Sequence, residues 1–169
     1  MFCRQINRAG TNMRYIEAPE VYYGDGPSLF LAGGITGCPD WQREMVANLQ
    51  DLPLVIFNPR RTHFPQDRNV DREQIEWEYT YLRKATAISF WFPQETLCPI
   101  ALYELGAWCM TNKKIFLGVH PNYRRIQDIR IQTALVRPEI TLVQTLEELN
   151  RSIRSWRSST LGNDGYHIM

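Results

Sequence analysis

The chain has 169 residues, 44% of them hydrophobic, with 19 basic against 18 acidic side chains and a formal net charge of +1. That length suits one domain with a core of its own, and the near balance of charge excludes a global field drawing the protein to a nucleic-acid polymer or an anionic membrane. Apolar runs such as Ile115 to Val119 are too short to span a bilayer and the N-terminus lacks a signal-peptide core, so a cytoplasmic protein is expected, with a small molecule or a second copy of itself as partner.

Residues 1–27 lack sustained periodicity and close on Tyr23-Gly24-Asp25-Gly26-Pro27, a turn-favouring cluster, which predicts an N-terminal arm around the domain. The apolar run Ser28 to Ala32 predicts a buried first strand that stops at Gly33-Gly34. Asp40 then caps a helix whose apolar positions are Trp41, Met45, Val46 and Leu49. A second strand, Pro53 to Asn58, is broken by Pro59-Arg60-Arg61 and followed by a long polar loop to about Asp71.

Helical spacing of Ile75, Tyr79 and Leu82 predicts a helix from Asp71 to Lys84, and Ala87 to Phe92 a third strand. Pro99 opens a helix that is apolar on more than one face. Lys114 to Val119 reads as a fourth strand, Tyr123 to Leu135 as a helix and Thr141 to Val143 as a short fifth strand. Thr145 with Glu148 three residues on is a capping box for a helix to about Trp156, leaving residues 159–169 as a flexible tail. Residues 28–158 thus form one α/β domain, a doubly wound sandwich with a five-stranded, mainly parallel sheet.

Ligands of such sheets bind beyond the carboxyl ends of the strands. That edge holds Gly33, Gly34 and Ile35, then Asn58 and Arg60, then the stretch from Pro93 to Glu104. The glycines let a ligand approach the backbone, Arg60 or Arg61 suits a phosphate or an acidic partner, and Trp91 offers a flat face to a nucleobase. No dinucleotide or P-loop fingerprint is present. Cys3, Cys38, Cys98 and Cys109 are too scattered for a disulfide framework, and His63, His120 and His167 are isolated, so neither a metal nor another cofactor is expected.

Glu104 lies among apolar and small neighbours, Leu102-Tyr103-Glu104-Leu105-Gly106, unlike a solvated surface glutamate. Burial raises its pKa and the positive end of the helix lowers it, two influences that together suit a carboxylate nucleophile. The alternative is a core glutamate paired with an arginine or a backbone amide. Glycosidic chemistry through an oxocarbenium-like transition state commonly needs a second acidic group for the leaving group's proton. Glu78 and Glu95 are the available partners.

The ordered motifs Phe30-Leu31-Ala32-Gly33-Gly34-Ile35-Thr36-Gly37, Phe57-Asn58-Pro59-Arg60-Arg61, Trp77-Glu78, Phe90-Trp91-Phe92-Pro93-Gln94-Glu95-Thr96, Pro99-Ile100 and Tyr103-Glu104-Leu105-Gly106 cover about Leu29 to Val143. Together they resemble the nucleoside 2-deoxyribosyltransferases, in particular the branch described as nucleoside 2-deoxyribosyltransferase-like. The resemblance implies a flavodoxin-like fold and a glycosyl-enzyme ester on the glutamate of a Glu-Ile/Leu-Gly motif, here Glu104. It places Glu78 where the family has an aspartate on the preceding helix that contacts base or sugar. Cys98 stands where a second family aspartate is found, with Glu95 the nearest acid. Phe30 stands where the family has a tyrosine that orients the nucleophile, and Tyr103 lies near it in the chain.

The resemblance further implies a homo-oligomer whose sites borrow from a neighbour's chain end, here Gly165 to Met169. The expected activity is cleavage of a (deoxy)nucleoside's N-glycosidic bond, with transfer to another base or to water. Hydrolysis of a nucleoside 5′-monophosphate, and a non-catalytic nucleotide-binding sensor, remain open beside it.

Overall fold

A computed structural model of the protein describes residues 13–63 and 70–163, the last three without their side chains. Its elements are β1 (Arg14–Glu17), β2 (Ser28–Gly33), α1 (Trp41–Leu49), β3 (Val55–Asn58), α2 (Val70–Lys84), β4 (Ala87–Phe92), α3 (Pro99–Cys109), β5 (Lys114–Val119), α4 (Ile126–Val136), β6 (Leu142–Val143) and α5 (Leu146–Asn163). None of these helices is long and apolar enough to cross a membrane.

Every residue of β3 and β4 is buried, as strands covered on both faces must be. Side chains along a strand alternate between faces. Phe30 and Ala32 of β2 therefore enter the core beneath α2, α3 and α4, while Leu29 and Leu31 enter the one beneath α1 and α5. All five strand pairings are parallel, in the order β1-β3-β2-β4-β5-β6. With β1 set aside, the strands follow the flavodoxin-like order of second, first, third, fourth, fifth.

Two helix starts follow the side-chain chemistry expected of them. Asp40 accepts a hydrogen bond from the Arg43 amide at 3.1 Å. Thr145 Oγ1 accepts from the Glu148 amide and Glu148 Oε2 from the Thr145 amide, both at 3.1 Å, closing a capping box.

The sheet has six strands where five are expected, and the sixth comes from the segment expected to be an arm. Only Ile16 of β1 is fully buried, so the strand carries almost no apolar pattern of its own. It exists because the open edge of β3 supplies a ladder of backbone partners from Val55 to Asn58. The chain that follows is pinned to α2: Trp77 Nε1 donates to the Glu20 carbonyl (2.8 Å), the Tyr22 amide to Tyr81 Oη (2.6 Å), and Lys84 Nζ to the Tyr22 carbonyl (2.8 Å). At the other end α5 continues through Asn163, so the first part of the expected tail is helical. Residues 1–12, 64–69 and 164–169 lie outside the described residues. They hold most of the arm's start, much of the polar loop after β3 and the terminal Gly165 to Met169.

If β1 belongs to the folding unit, Ile16→Ala leaves a cavity against Phe57 and costs about 2–5 kcal/mol of unfolding free energy. Equilibrium urea denaturation measures it, and a loss within about 0.5 kcal/mol, the scale of a surface change, would show that the segment does not pack in solution.

Candidate active site

β2 and β4 lie side by side at the point where strand order reverses. The chain leaves β2 for α1 on one face and β4 for α3 on the other, so a crevice opens beyond their carboxyl ends. The backbones meet there too closely for side chains. Gly33 has φ 144°, and a Cβ on it would stand 2.1 Å from the Trp91 carbonyl oxygen. A Cβ on Gly34 would stand 2.6 Å from Pro93 Cγ, and the Gly34 amide donates to the Trp91 carbonyl at 3.2 Å. The two glycines thus let the strand ends close on each other.

The loop from Gly34 to Pro39 is held by its carbonyls. Trp41 Nε1 and Gln42 Nε2 donate to the Gly34 carbonyl at 2.8 and 3.1 Å. Arg60 donates to the carbonyls of Ile35, Cys38 and Pro39 and to Gln42 Oε1, all at 2.9–3.0 Å. Its guanidinium is occupied as a clamp on the loop.

A cavity of about 360 Å³ lies in the crevice, on the α2–α3 side of the sheet. Phe30, Ala32 and Gly33 line it from β2, and Gly34 to Thr36 from the clamped loop. Glu78 reaches it from α2 and Glu104 from α3. Cys98, in the left-handed conformation at φ 48°, turns the chain into α3 immediately before Pro99 and also borders the cavity. The remaining wall is largely apolar, with Pro59, Ile100 and Ala101, and among the described residues no arginine or lysine lines it.

The electrostatics of the two carboxyls differ. Burial, reinforced by the negative charge of Glu78, pushes Glu104 up to about 8. Glu104 sits in the second turn of α3, past the first-turn amides where a helix dipole acts most strongly, so the expected lowering is too weak to offset desolvation. Burial also raises Glu78, but a hydrogen bond from Gln74 and the nearby Arg61 charge act against it. The Cys98 thiol is pushed up to about 12, mainly by burial. Cys98 is therefore neutral near pH 7 and no electrostatic substitute for an aspartate.

The structure brings Gly33, Gly34, Ile35, Glu78 and Glu104 to one cavity and sends the other candidates elsewhere. Glu95 and Trp91 line a second, smaller hollow of about 180 Å³ with Trp41 and His120. Trp91 points to the α1–α5 face because its position on β4 is odd relative to Phe90 and Phe92. Asn58 is buried in the framework, its Nδ2 donating to Tyr15 Oη at 2.9 Å and its Oδ1 accepting from the Arg60 amide at 3.0 Å. Tyr103 is 78% exposed on the outer side of α3. Sequence reasoning passed over Gln74, whose one signal was its place four residues before Glu78 on the same helix.

A family model described as nucleoside 2-deoxyribosyltransferase like matches residues 26–123, more than half of the chain. The match runs from just before β2 to just before α4 and contains both cavity carboxyls, leaving β1 outside. No curated protein matches the chain.

The raised pKa of Glu104 has a thermodynamic consequence. Its carboxyl ionises near 4.5 in the unfolded chain and near 8 in the folded one, so over that interval the folded state binds more protons and stability falls as pH rises. Glu104→Gln removes this penalty. The variant should match the wild type below about pH 4.5 and gain on it up to about pH 8, by at most about 1.4 kcal/mol per pH unit. Thermal melts across pH 4–9 read the difference, and a constant offset would contradict the buried carboxyl.

Proposed function

The chain belongs to the nucleoside 2-deoxyribosyltransferase-like family, and from that premise we propose that it cleaves the N-glycosidic bond of a (deoxy)nucleoside through a glycosyl ester on Glu104. One observation carries the reading: Glu104 and Glu78, from different helices, share a mostly apolar cavity at the switch point of the sheet.

In the first step a Glu104 carboxylate oxygen bonds to the anomeric carbon as the bond to the base nitrogen breaks. The bonding pair leaves with the base, which takes up a proton. Two electrostatically coupled carboxyls at neutral pH hold about one proton between them. That inventory supplies one carboxylate to attack and one proton for the leaving group. Glu78 is the group that passes or steers this proton. In the second step water or another base attacks the same carbon, the ester breaks and Glu104 is regenerated. Two displacements retain the anomeric configuration, and recovery of an inverted product would rule out the ester.

The cavity wall supports an uncharged substrate. Its apolar residues suit a sugar and base, no cationic side chain lines it among the described residues, and Arg60, the expected phosphate ligand, is occupied by three carbonyls and Gln42. A nucleoside is accordingly favoured over its 5′-monophosphate, which direct comparison of turnover decides. Product analysis with and without an added acceptor base separates transfer from hydrolysis.

Glu104→Ala should lower base release by about 10³-fold or more. Substrate binding without base release by the wild type would instead support a sensor. Because the step needs one proton on the pair, kcat/KM should hold below about pH 8 and fall about tenfold per unit above it, as Glu104 loses that proton. Glu78→Gln leaves Glu104 to ionise without a charged neighbour or a shared proton, so whatever rate remains should instead rise with pH to a plateau reached below pH 8. An alkaline fall retained in Glu78→Gln would mean that the proton does not pass through Glu78.

A further inference from the structure

Glu78 is not left to its own rotamers. The Gln74 side-chain amide, one turn earlier on α2, donates from Nε2 to Glu78 Oε1 at 2.7 Å and to the Pro59 carbonyl at 2.7 Å. Its Oε1 accepts from Arg61 Nε at 2.6 Å. Arg61 can only donate, and the Pro59 carbonyl only accepts, so the orientation of the Gln74 amide is fixed from both sides and its donor end must face Glu78. The Arg61 side chain is itself 3% exposed and anchored to Glu73 at 2.8 Å. A buried cation thus orients a neutral amide, which in turn grips one carboxyl of the pair.

We propose that Gln74 is a positioning residue of the site, holding the Glu78 carboxyl oriented at the cavity it shares with Glu104. The proposal rests on the glycosidic reading above and adds to it the means by which two glutamates in one cavity become unlike. Glu104 receives no hydrogen bond among the described residues, only burial and the Glu78 charge. Glu78 receives a donor from its own helix and faces Arg61 from the loop after β3, with Glu104 opposite on α3. With Gln74 in place the proton of the pair resides on Glu104 in the free protein, and Glu78 is set to receive it and pass it to the departing base as Glu104 attacks. A carboxyl that is oriented, and whose rise on burial is opposed by the Gln74 donor and the Arg61 charge, makes an effective proton donor at the moment the base leaves.

Two variants test this on the intact chain. Gln74→Met keeps the length of the side chain and removes its donor; Gln74→Glu keeps an acceptor for Arg61 and replaces the donor with a like charge. Carbon-13 NMR of labelled glutamate carboxyls follows Glu78 directly and needs no turnover. Its titration should move to higher pH in Gln74→Met and further in Gln74→Glu, and a Glu78 titration unmoved in both overturns the proposal. Melting curves select the variant that folds.

Kinetics provide the second reading. Loss of a hydrogen bond to a charged group predicts a fall in kcat of about tenfold or more, with KM nearly unchanged. Because Gln74 acts through Glu78, the Gln74→Met change should cost nothing more in a Glu78→Gln background. Additive losses would make Gln74 an independent structural contact and overturn the proposal. If the Glu78 titration moves as expected but the wild type releases no base from any nucleoside, the positioning stands and the glycosidic reading fails.

Discussion

The approach of β2 to β4 at their carboxyl ends is the constraint on which the site depends. Gly33 and Gly34 lie where the Trp91 carbonyl and the Pro93 ring leave no volume for a Cβ, and at that point successive helices depart to opposite faces of the sheet. A crevice is the geometric consequence. A side chain at Gly33 would push the strand ends apart and displace both the clamped loop and the start of α3. The family match begins just ahead of this junction and covers both strands and both carboxyl-bearing helices.

Around that crevice, polar side chains divide into those that hold the frame and those that face the cavity. Arg60, Gln42 and Trp41 satisfy the carbonyls of the loop after β2, as buried backbone groups require. Asn58 ties the end of β3 to β1, donating to Tyr15 Oη and accepting from the Arg60 amide. Glu78 and Glu104 remain for the cavity. Phe30, nearly fully buried in the wall beneath them, has no hydroxyl to offer Glu104, which fits a carboxyl whose ionisation is governed by desolvation and by its neighbour's charge.

Parts of this arrangement are legible in the chain and parts are not, for identifiable reasons. The runs Ser28 to Ala32, Ala87 to Phe92 and Lys114 to Val119 announce buried parallel strands because both faces of each are covered, so burial leaves its mark on consecutive residues. The Asp40 cap and the Thr145–Glu148 box are legible because their partners lie within one helical turn. β1 is not, since an edge strand with one fully buried residue has no pattern to show and draws its stability from β3, some forty residues on. Arg60 suggests a ligand-binding cation in sequence; its engagement depends on carbonyls 21 to 25 residues away.

What the sequence by itself determined is the class of fold, the sheet edge at which the cavity opens and Glu104 as the acidic residue with the least polar surroundings. Each follows from hydrophobic periodicity and local neighbours, which folding preserves. Only the tertiary structure decided which second carboxyl joins it. Glu95 is closer to Glu104 in the chain, but it follows β4 toward the hollow beside Trp91, while Glu78 is carried into the cavity on α2. The charge state of the pair was likewise a tertiary matter. Desolvation of Glu104 and the Arg61–Gln74 grip on Glu78 arise only when β2, α2, α3 and the loop after β3 are packed together.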